Sequence, residues 1–346
     1  MRRLLPALLA GMLLLAGCSS SEADAASVTS AETSYAGASE AEQETQDVTL
    51  AETVLFDQDG IRITATGLST DSLFGPELNL LVENYEAGRQ VTYKVYTDEE
   101  IAAQPSRNHA ELYYFPAKEA GAKYAVILSG NALVYSGELR GGVSTAWELH
   151  EQGYAVFVLR YRIGKEAGND APLDDLGRSV QFITAHAAAF GVAPNGYALL
   201  GYSSGGQIAG VFGSAEKGWQ KYGVPKPGAL LLAYPINNFT VAKPVYTALL
   251  DVDDWMQRHY YDYTLSNLIA PGYPPVFLWY GKSDRTLKLF GFEQQGPALQ
   301  KALEADGVPY VQKVYENAAH GIGIGLGTDA EGWLAEAGKF WRKVTP

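Results

Sequence analysis

The sequence predicts an α/β fold in which helices cover both faces of a largely parallel sheet. From Ala122 onward, short and almost entirely apolar runs alternate with longer segments of helical pattern, which is typical of strands buried on both faces. The pentapeptide Gly201-Tyr-Ser-Ser-Gly205 directly follows one of these runs and predicts a tight strand-to-helix turn. With 47% hydrophobic residues among 346, the chain can bury one large core.

The apolar runs and helical patterns place the elements along the chain. The predicted strands are Tyr124–Leu128, Tyr154–Leu159, Tyr197–Leu200, Ala229–Ala233, Pro275–Tyr280 and Tyr310–Tyr315. The predicted helices span residues 144–152, 173–190, 207–212, 292–305 and 330–343.

The first residues have the layout of a secretory signal, with a basic start and an apolar run too short to cross a bilayer. We expect residues 1–17 to be a signal peptide. Leu15-Ala-Gly-Cys18 resembles the bacterial lipobox, which implies lipidation of Cys18 and anchorage on the outer side of a bacterial membrane. The alternative is an ordinary signal peptide with an incidental cysteine. Cys18 is the chain's only cysteine, so an intrachain disulfide is excluded.

Three further regions follow. Residues 18–50 are rich in Ser, Ala, Glu and Thr, so we expect a disordered tether. Residues 51–91 contain the short β-like runs Val54–Phe56, Ile61–Thr64 and Leu78–Val82 and predict a β appendage packed on the main domain. We expect the main α/β domain to span residues 92–346.

Charge and composition exclude several classes of partner. The formal net charge of −13 argues against binding to nucleic acid or to anionic membrane surfaces. The sequence contains no Gly-rich phosphate loop, metal-ligand cluster or nucleotide fingerprint, so no metal and no cofactor are implied. The oligomeric state stays open.

Ser203, at the centre of the pentapeptide, is the candidate nucleophile, and it needs a general base. Five histidines are present. His109 precedes the predicted sheet, His150 and His186 fall in predicted helices, and His259 falls in a polar, aromatic segment. His320 alone follows the last predicted strand and is therefore the candidate base.

Asp284 is the candidate acid because it lies in Gly281-Lys-Ser-Asp284, just after the preceding strand. Ligands of such sheets lie beyond the carboxyl ends of the strands. An aspartate also favours turns for its own hydrogen bonds, so a purely structural role is the alternative.

The chain from about Tyr93 to Pro346 resembles the α/β-hydrolase superfamily, in particular its compact secreted esterase and lipase group that includes acetyl-xylan-esterase-like proteins. The resemblance rests on the four stretches Arg160-Tyr-Arg162, Pro172-Leu-Asp-Asp-Leu176, Gly201-Tyr-Ser-Ser-Gly-Gly206 and Ala319-His-Gly-Ile-Gly323. It implies Ser203 as nucleophile, Asp284 as acid and His320 as base.

The same resemblance implies an oxyanion hole of backbone N–H groups from Asn131 or Ala132 together with Ser204. Relatives carry a Gly-Gly-Gly type turn where this chain has Ser129-Gly-Asn-Ala132. Asp175 also matches a residue common to the group, although helix capping explains it equally well.

An insert at about residues 234–274 occupies the usual position of a cap and is rich in Tyr, Trp and Asn. These side chains suit a sugar or aryl ester, or they only pack the cap onto the sheet.

The leading interpretation is a lipid-anchored serine esterase acting on small or carbohydrate-linked esters through an acyl-enzyme intermediate. The alternatives are a serine peptidase of the prolyl-oligopeptidase kind and a catalytically silent hydrolase fold used for binding.

Overall fold

The computed structural model describes residues 54–58, 61–64, 80–81, 83–85, 87–130, 142–240 and 263–346. The predicted signal peptide and tether, Cys18, Asn131, Ala132, His259 and most of the cap insert lie outside these residues. Their predicted roles therefore stay predictions. Within the described part of the chain, no helix combines the length and the apolar character needed to cross a membrane.

The described residues form ten strands. Their bounds are β1 Val54–Gln58, β2 Ile61–Thr64, β3 Thr92–Lys94, β4 Glu111–Phe115, β5 Tyr124–Leu128, β6 Ala155–Arg160, β7 Ala198–Tyr202, β8 Ala229–Ala233, β9 Val276–Gly281 and β10 Tyr310–Tyr315. The helices are α1 Asp98–Ala103, α2 Val143–Glu151, α3 Ala171–Ala185, α4 Ala187–Phe190, α5 Ser204–Gly213, α6 Arg285–Leu289, α7 Gly296–Ala305 and α8 Trp333–Val344.

Among these residues, eight strands form one sheet in the order β10-β9-β8-β7-β5-β6-β4-β3. The pairs from β10 to β6 are parallel, whereas β4 runs antiparallel to both β6 and β3. In the flanking helices, α2 packs against α8, and α3 packs against α5. The predicted fold class is therefore confirmed.

Burial explains why the sequences of these strands consist almost entirely of apolar residues. Every residue of β5, β7, β8 and β9 is buried, whereas β10, at one edge of the sheet, is only half-buried. Trp279, Trp333 and Trp341 are among the largest fully buried side chains of the core. Because parallel strands carry helices on both faces, their side chains have no solvent-facing side on which to be polar.

The strands predicted for the α/β region and most helices are confirmed to within a few residues. The helix predicted over residues 173–190 is divided at His186, whose φ of −110° and ψ of 20° leave the helical range. The helix predicted from Phe292 begins only at Gly296, after a short 3-10 turn. Pro297 lies in its first turn, where proline starts a helix readily.

The prediction of a β-like run at Leu78–Val82 is wrong, because residues 80–81 and 83–85 are helical. Leu81 is buried in the core of the main domain, and the Asn84 side chain donates to the Leu80 carbonyl. Val54–Phe56 and Ile61–Thr64 do lie in strands, β1 and β2, which form an antiparallel pair.

The strands β3 and β4 precede Ala122, where the predicted alternation began. His109 therefore lies between the first two strands of the sheet rather than before it, and its ring contacts Glu166. The sequence prediction missed β4 because Glu111-Leu-Tyr-Tyr-Phe115 opens on a charged residue, which Lys94 of β3 neutralises.

Candidate active site

Ser203 lies at a sharp turn between the end of β7 and the start of α5. Its backbone has φ 52° and ψ −116°, a conformation that a residue with a side chain adopts only at a cost of about 1–3 kcal/mol. Hydrogen bonds with Ala233, the last residue of β8, and with Ile236, three residues later, hold Ser203 in this conformation. The Ser203 N–H donates to the Ala233 carbonyl at 3.0 Å, and the Ile236 N–H donates to the Ser203 carbonyl at 3.2 Å.

The glycines that flank Ser203 are required by close backbone contacts. A Cβ on Gly201 would lie 2.4 Å from the Gly205 carbonyl oxygen. A Cβ on Gly205 would lie 2.3 Å from the carbonyl oxygen of Leu128, at the end of β5. Both distances are far below van der Waals contact, so only glycine lets the helix start this close to the sheet.

The structure brings the three predicted site residues together. His320, on the loop after β10, has its Nε2 2.8 Å from the Ser203 Oγ. Its Nδ1 lies 2.8 Å from Oδ2 of Asp284, on the loop after β9. The Asp284 side chain is fully buried and the His320 side chain is 13% exposed.

The Asp284 carboxylate makes two contacts, one to the start of α6 and one to the His320 ring. Its Oδ1 accepts a hydrogen bond from the Leu287 N–H at 2.9 Å and so caps α6, while its Oδ2 faces the imidazole. The helix cap fixes the carboxylate, and the carboxylate in turn orients His320. With Nδ1–H donated to Asp284, the Nε2 atom is free to accept a proton from the Ser203 hydroxyl.

The segment that leads to the predicted oxyanion residues passes directly beside the serine. A Cβ on Gly130 would lie 2.9 Å from the Ser203 Cβ. Asn131 and Ala132 lie outside the described residues, and Ser204 is fully buried as the first residue of α5. The Tyr161 hydroxyl donates to the Ser129 carbonyl at 2.6 Å and ties this segment to the loop after β6.

The capping explanation of Asp175 is wrong. Asp175 lies inside α3, and its buried carboxylate accepts hydrogen bonds from the Arg162 backbone N–H at 2.8 Å and from the Arg162 guanidinium at 2.7 Å. The Tyr96 hydroxyl donates to the same carboxylate at 2.8 Å. Asp175 therefore fixes the segment after β6. Among the hydrogen bonds of the described residues, none joins the Asp175 side chain to Ser203 or His320.

Tyr234, the first residue of the predicted cap insert, contacts the site directly. Its ring centroid lies 4.8 Å from that of His320. Burial raises the pKa of the Tyr234 phenol. The hydrogen bond from the Gly323 N–H lowers this pKa by a smaller amount, and the nearby Asp284 carboxylate raises it further. The Tyr234 side chain therefore stays neutral. No glycine or motif marks this position in the sequence, because the contact arises only in the folded chain.

Within the described ranges, no group of three or more His, Cys, Asp or Glu side chains is arranged to hold a metal ion.

The sheet order, the strand-to-helix turn at Ser203 and the placement of Asp284 and His320 after successive strands define the α/β-hydrolase fold. The described part of the chain therefore has the α/β-hydrolase fold. The BD-FAE family model matches residues 111–223, from β4 through the turn at Ser203 to the segment after α5.

Known proteins similar to this chain include carbohydrate-active enzymes. It is 23% identical over 204 residues to endo-1,4-beta-xylanase B of Butyrivibrio fibrisolvens, a match that covers 56% of this chain and 31% of that protein. The chain therefore spans about a third of the length of this curated relative.

Solved structures share the fold at low identity. An acetyl ester-xyloside bifunctional hydrolase from Caldicellulosiruptor lactoaceticus superposes with a TM-score of 0.60 at 19% identity, covering 73% of this chain and 96% of that one. A carboxylesterase from Lactobacillus plantarum superposes with a TM-score of 0.57 at 20% identity, covering 68% and 92%.

Proposed function

We propose that the chain is a serine carboxylic-ester hydrolase that acts through Ser203, His320 and Asp284. The observation that carries this proposal is the continuous contact from the Ser203 Oγ through the His320 imidazole to the buried Asp284 carboxylate, with 2.8 Å at each step. A serine hydroxyl is a weak nucleophile unless a base accepts its proton, and this geometry supplies the base and the group that orients it.

The reaction proceeds in two steps. The Ser203 Oγ attacks the ester carbonyl carbon while its proton passes to the His320 Nε2, and the imidazolium then returns that proton to the departing alcohol. A water molecule next attacks the acyl-serine and gives its proton to His320. The carboxylic acid leaves, and the serine hydroxyl is restored. Asp284 holds the imidazole in the accepting tautomer and stabilises the imidazolium.

The backbone N–H groups of Asn131 or Ala132, together with that of Ser204, bind the oxyanion in this proposal. Its support is the position of Gly130, the residue directly before Asn131 in the sequence, where a Cβ would lie 2.9 Å from the Ser203 Cβ.

The substrate in this proposal is a small ester, in particular an acetyl or similar ester carried by a xylan-type carbohydrate. The names of the similar proteins support this class, since one is an acetyl ester-xyloside hydrolase, one a carboxylesterase and one a xylanase.

The test is reaction with an organophosphonate followed by peptide mapping, alongside turnover of p-nitrophenyl acetate and of acetylated xylan. We expect the label on Ser203 and hydrolysis of both substrates by the wild-type protein, but not by the Ser203→Ala variant. Label on Ser203 without any ester turnover would favour a silent binding protein, and turnover by Ser203→Ala would refute the assignment.

We also propose that the enzyme is held at the outer side of a bacterial membrane by lipid on Cys18. The support is the sequence Leu15-Ala-Gly-Cys18 after a basic and then apolar start. Two acyl chains are needed for stable anchorage. Expressed in a bacterium, the wild-type protein should sediment with membranes, whereas Cys18→Ser should be released or stay unprocessed. An unmodified wild-type protein found entirely in the culture fluid would refute the anchor.

A further inference from the structure

The backbone of Tyr234 has an unusual conformation for a large residue. It directly follows β8, has φ +39° and is only 2% exposed. A non-glycine residue in the left-handed region costs of order 1–3 kcal/mol, and such strain persists only where the surroundings enforce it. A glycine would adopt this turn freely. The presence of a strained tyrosine instead points to a role of its side-chain contacts.

The main chain around Tyr234 is fixed on both sides. Its neighbours Ala233 and Ile236 hold the N–H and the carbonyl of Ser203 through hydrogen bonds of 3.0 and 3.2 Å. The Tyr234 N–H donates to the carbonyl of Trp279, in β9, at 2.6 Å. The segment 233–236 is therefore a rigid connection between the nucleophile and the neighbouring strand.

From this fixed backbone, the Tyr234 side chain reaches the loop that carries His320. Its ring lies against the imidazole with centroids 4.8 Å apart and an interplanar angle of 56°. Its hydroxyl oxygen accepts a hydrogen bond from the Gly323 N–H at 3.1 Å. The Gly323 carbonyl in turn accepts from the Trp333 indole N–H at 3.0 Å, so both polar groups of Gly323 are bound.

We propose that Tyr234 is a positioning residue for the reaction: it sets the His320 imidazole relative to the Ser203 Oγ, because one residue binds the loop of the base while its own backbone neighbours hold the nucleophile. The ring fixes the plane of the imidazole, and the hydroxyl fixes the loop three residues further on. This inference rests on the proposed ester-hydrolase function.

The two contacts can be removed separately. Tyr234→Phe keeps the ring and removes the acceptor for the Gly323 N–H, so we expect a roughly two- to tenfold lower kcat, the size expected for one neutral hydrogen bond. Tyr234→Leu removes the ring as well and lets the imidazole tilt. We expect kcat to fall by roughly a hundredfold, because small misplacements of catalytic groups have effects of this order. In both variants KM should stay within about twofold, since the substrate does not contact Tyr234 in this proposal.

The matched control is Tyr197→Phe. The Tyr197 hydroxyl also makes a hydrogen bond, to the Pro225 carbonyl at 2.9 Å, and the Tyr197 ring is fully buried. Tyr197 precedes the first residue of β7, whereas Ser203 follows the last, so the two residues lie at opposite ends of this strand. Tyr197→Phe should lower the melting temperature as Tyr234→Phe does while leaving kcat unchanged. Titration of Ser203 with an organophosphonate gives the fraction of folded sites, by which each kcat is corrected.

The outcomes separate this inference from the proposed function. An active, labelled wild-type enzyme together with an unchanged corrected kcat in Tyr234→Phe and Tyr234→Leu would overturn the positioning role alone. A corrected kcat that falls equally in Tyr197→Phe would also overturn it, since the effect would then reflect stability. A wild-type protein that neither reacts with the phosphonate nor hydrolyses any ester would overturn both. If Tyr234→Leu does not fold, the corrected kcat of Tyr234→Phe decides.

Discussion

The guanidinium of Arg162 lies 2.7 Å from the Oδ1 atom of Asp175, and both side chains are almost completely removed from solvent. The pair connects the end of β6 to the interior of α3 and is completed by the Tyr96 hydroxyl. It therefore joins three separate parts of the chain at a point that is shielded from solvent.

Asp175→Ala should destabilise the fold by about 3–5 kcal/mol, because it leaves a buried guanidinium without its counter-ion. Replacing both partners, as Arg162→Met with Asp175→Leu, should cost less than Asp175→Ala alone, since no isolated charge then remains. Urea unfolding of the three proteins measures this. A double variant less stable than the single one would show that shape, not charge, makes the pair important.

Gly205→Ala tests whether the close approach of α5 to the sheet sets the active-site geometry. The added Cβ would meet the backbone carbonyls of Leu128 and Ser129, which cannot rotate away. We expect a loss of about 1–3 kcal/mol in stability and a large fall in kcat. The control is Gly210→Ala in the same helix, where the atoms nearest to the Cβ belong to the Leu265 side chain rather than to the backbone. Equal kcat values in the two variants would contradict the prediction.

The sequence predicts the parallel part of the fold well, because each buried strand must be apolar along its length. It also predicts the order of Ser203, Asp284 and His320, because each follows the carboxyl end of a strand. The Gly-x-Ser-x-Gly pattern has a local cause in the close contacts of Gly201 and Gly205, and local causes leave local signals.

The features that could not be predicted depend on distant partners. Asp175 looks like a helix cap in sequence, yet it binds Arg162 and, 79 positions away, Tyr96. No glycine or turn motif in the sequence indicates the positive φ of Tyr234, because the hydrogen bond from its N–H to Trp279 in β9 and the bonds of Ala233 and Ile236 to Ser203 impose this conformation. The antiparallel β4 was missed because the charge of Glu111 is neutralised only by pairing with another strand.

Glu148→Gln tests the electrostatics of α2. Burial, and then repulsion from Glu331, raises the pKa of Glu148 above its ordinary value of 4.5. A raised pKa in the folded state means that this carboxyl favours folding at acidic pH and that the contribution is lost as the pH rises through the folded-state pKa. The variant should therefore be more stable than the wild type at neutral pH, and the difference should shrink on acidification.

The control is Glu151→Gln on the same helix. The hydrogen bond from Lys118 lowers the pKa of Glu151, so its substitution should have the opposite sign of pH dependence. Melting temperatures of the three proteins across the acidic to neutral range provide the measurement. Parallel curves for wild type and Glu148→Gln would show that Glu148 is fully solvated.

Ser203, His320 and Asp284 should behave as one unit in kinetics, as the continuous contacts of 2.8 Å suggest. We expect Ser203→Ala and His320→Ala each to lower kcat by about 10⁴–10⁶, and the double variant to be little worse than either, because such a unit is strongly non-additive. Asp284→Asn should be severe but milder than Ser203→Ala, since the nucleophile and base remain but the imidazole is held in the wrong tautomer. Steady-state kinetics on p-nitrophenyl acetate give these values. Losses that multiply in the double variant would mean that Ser203 and His320 act independently and that another group accepts the serine proton.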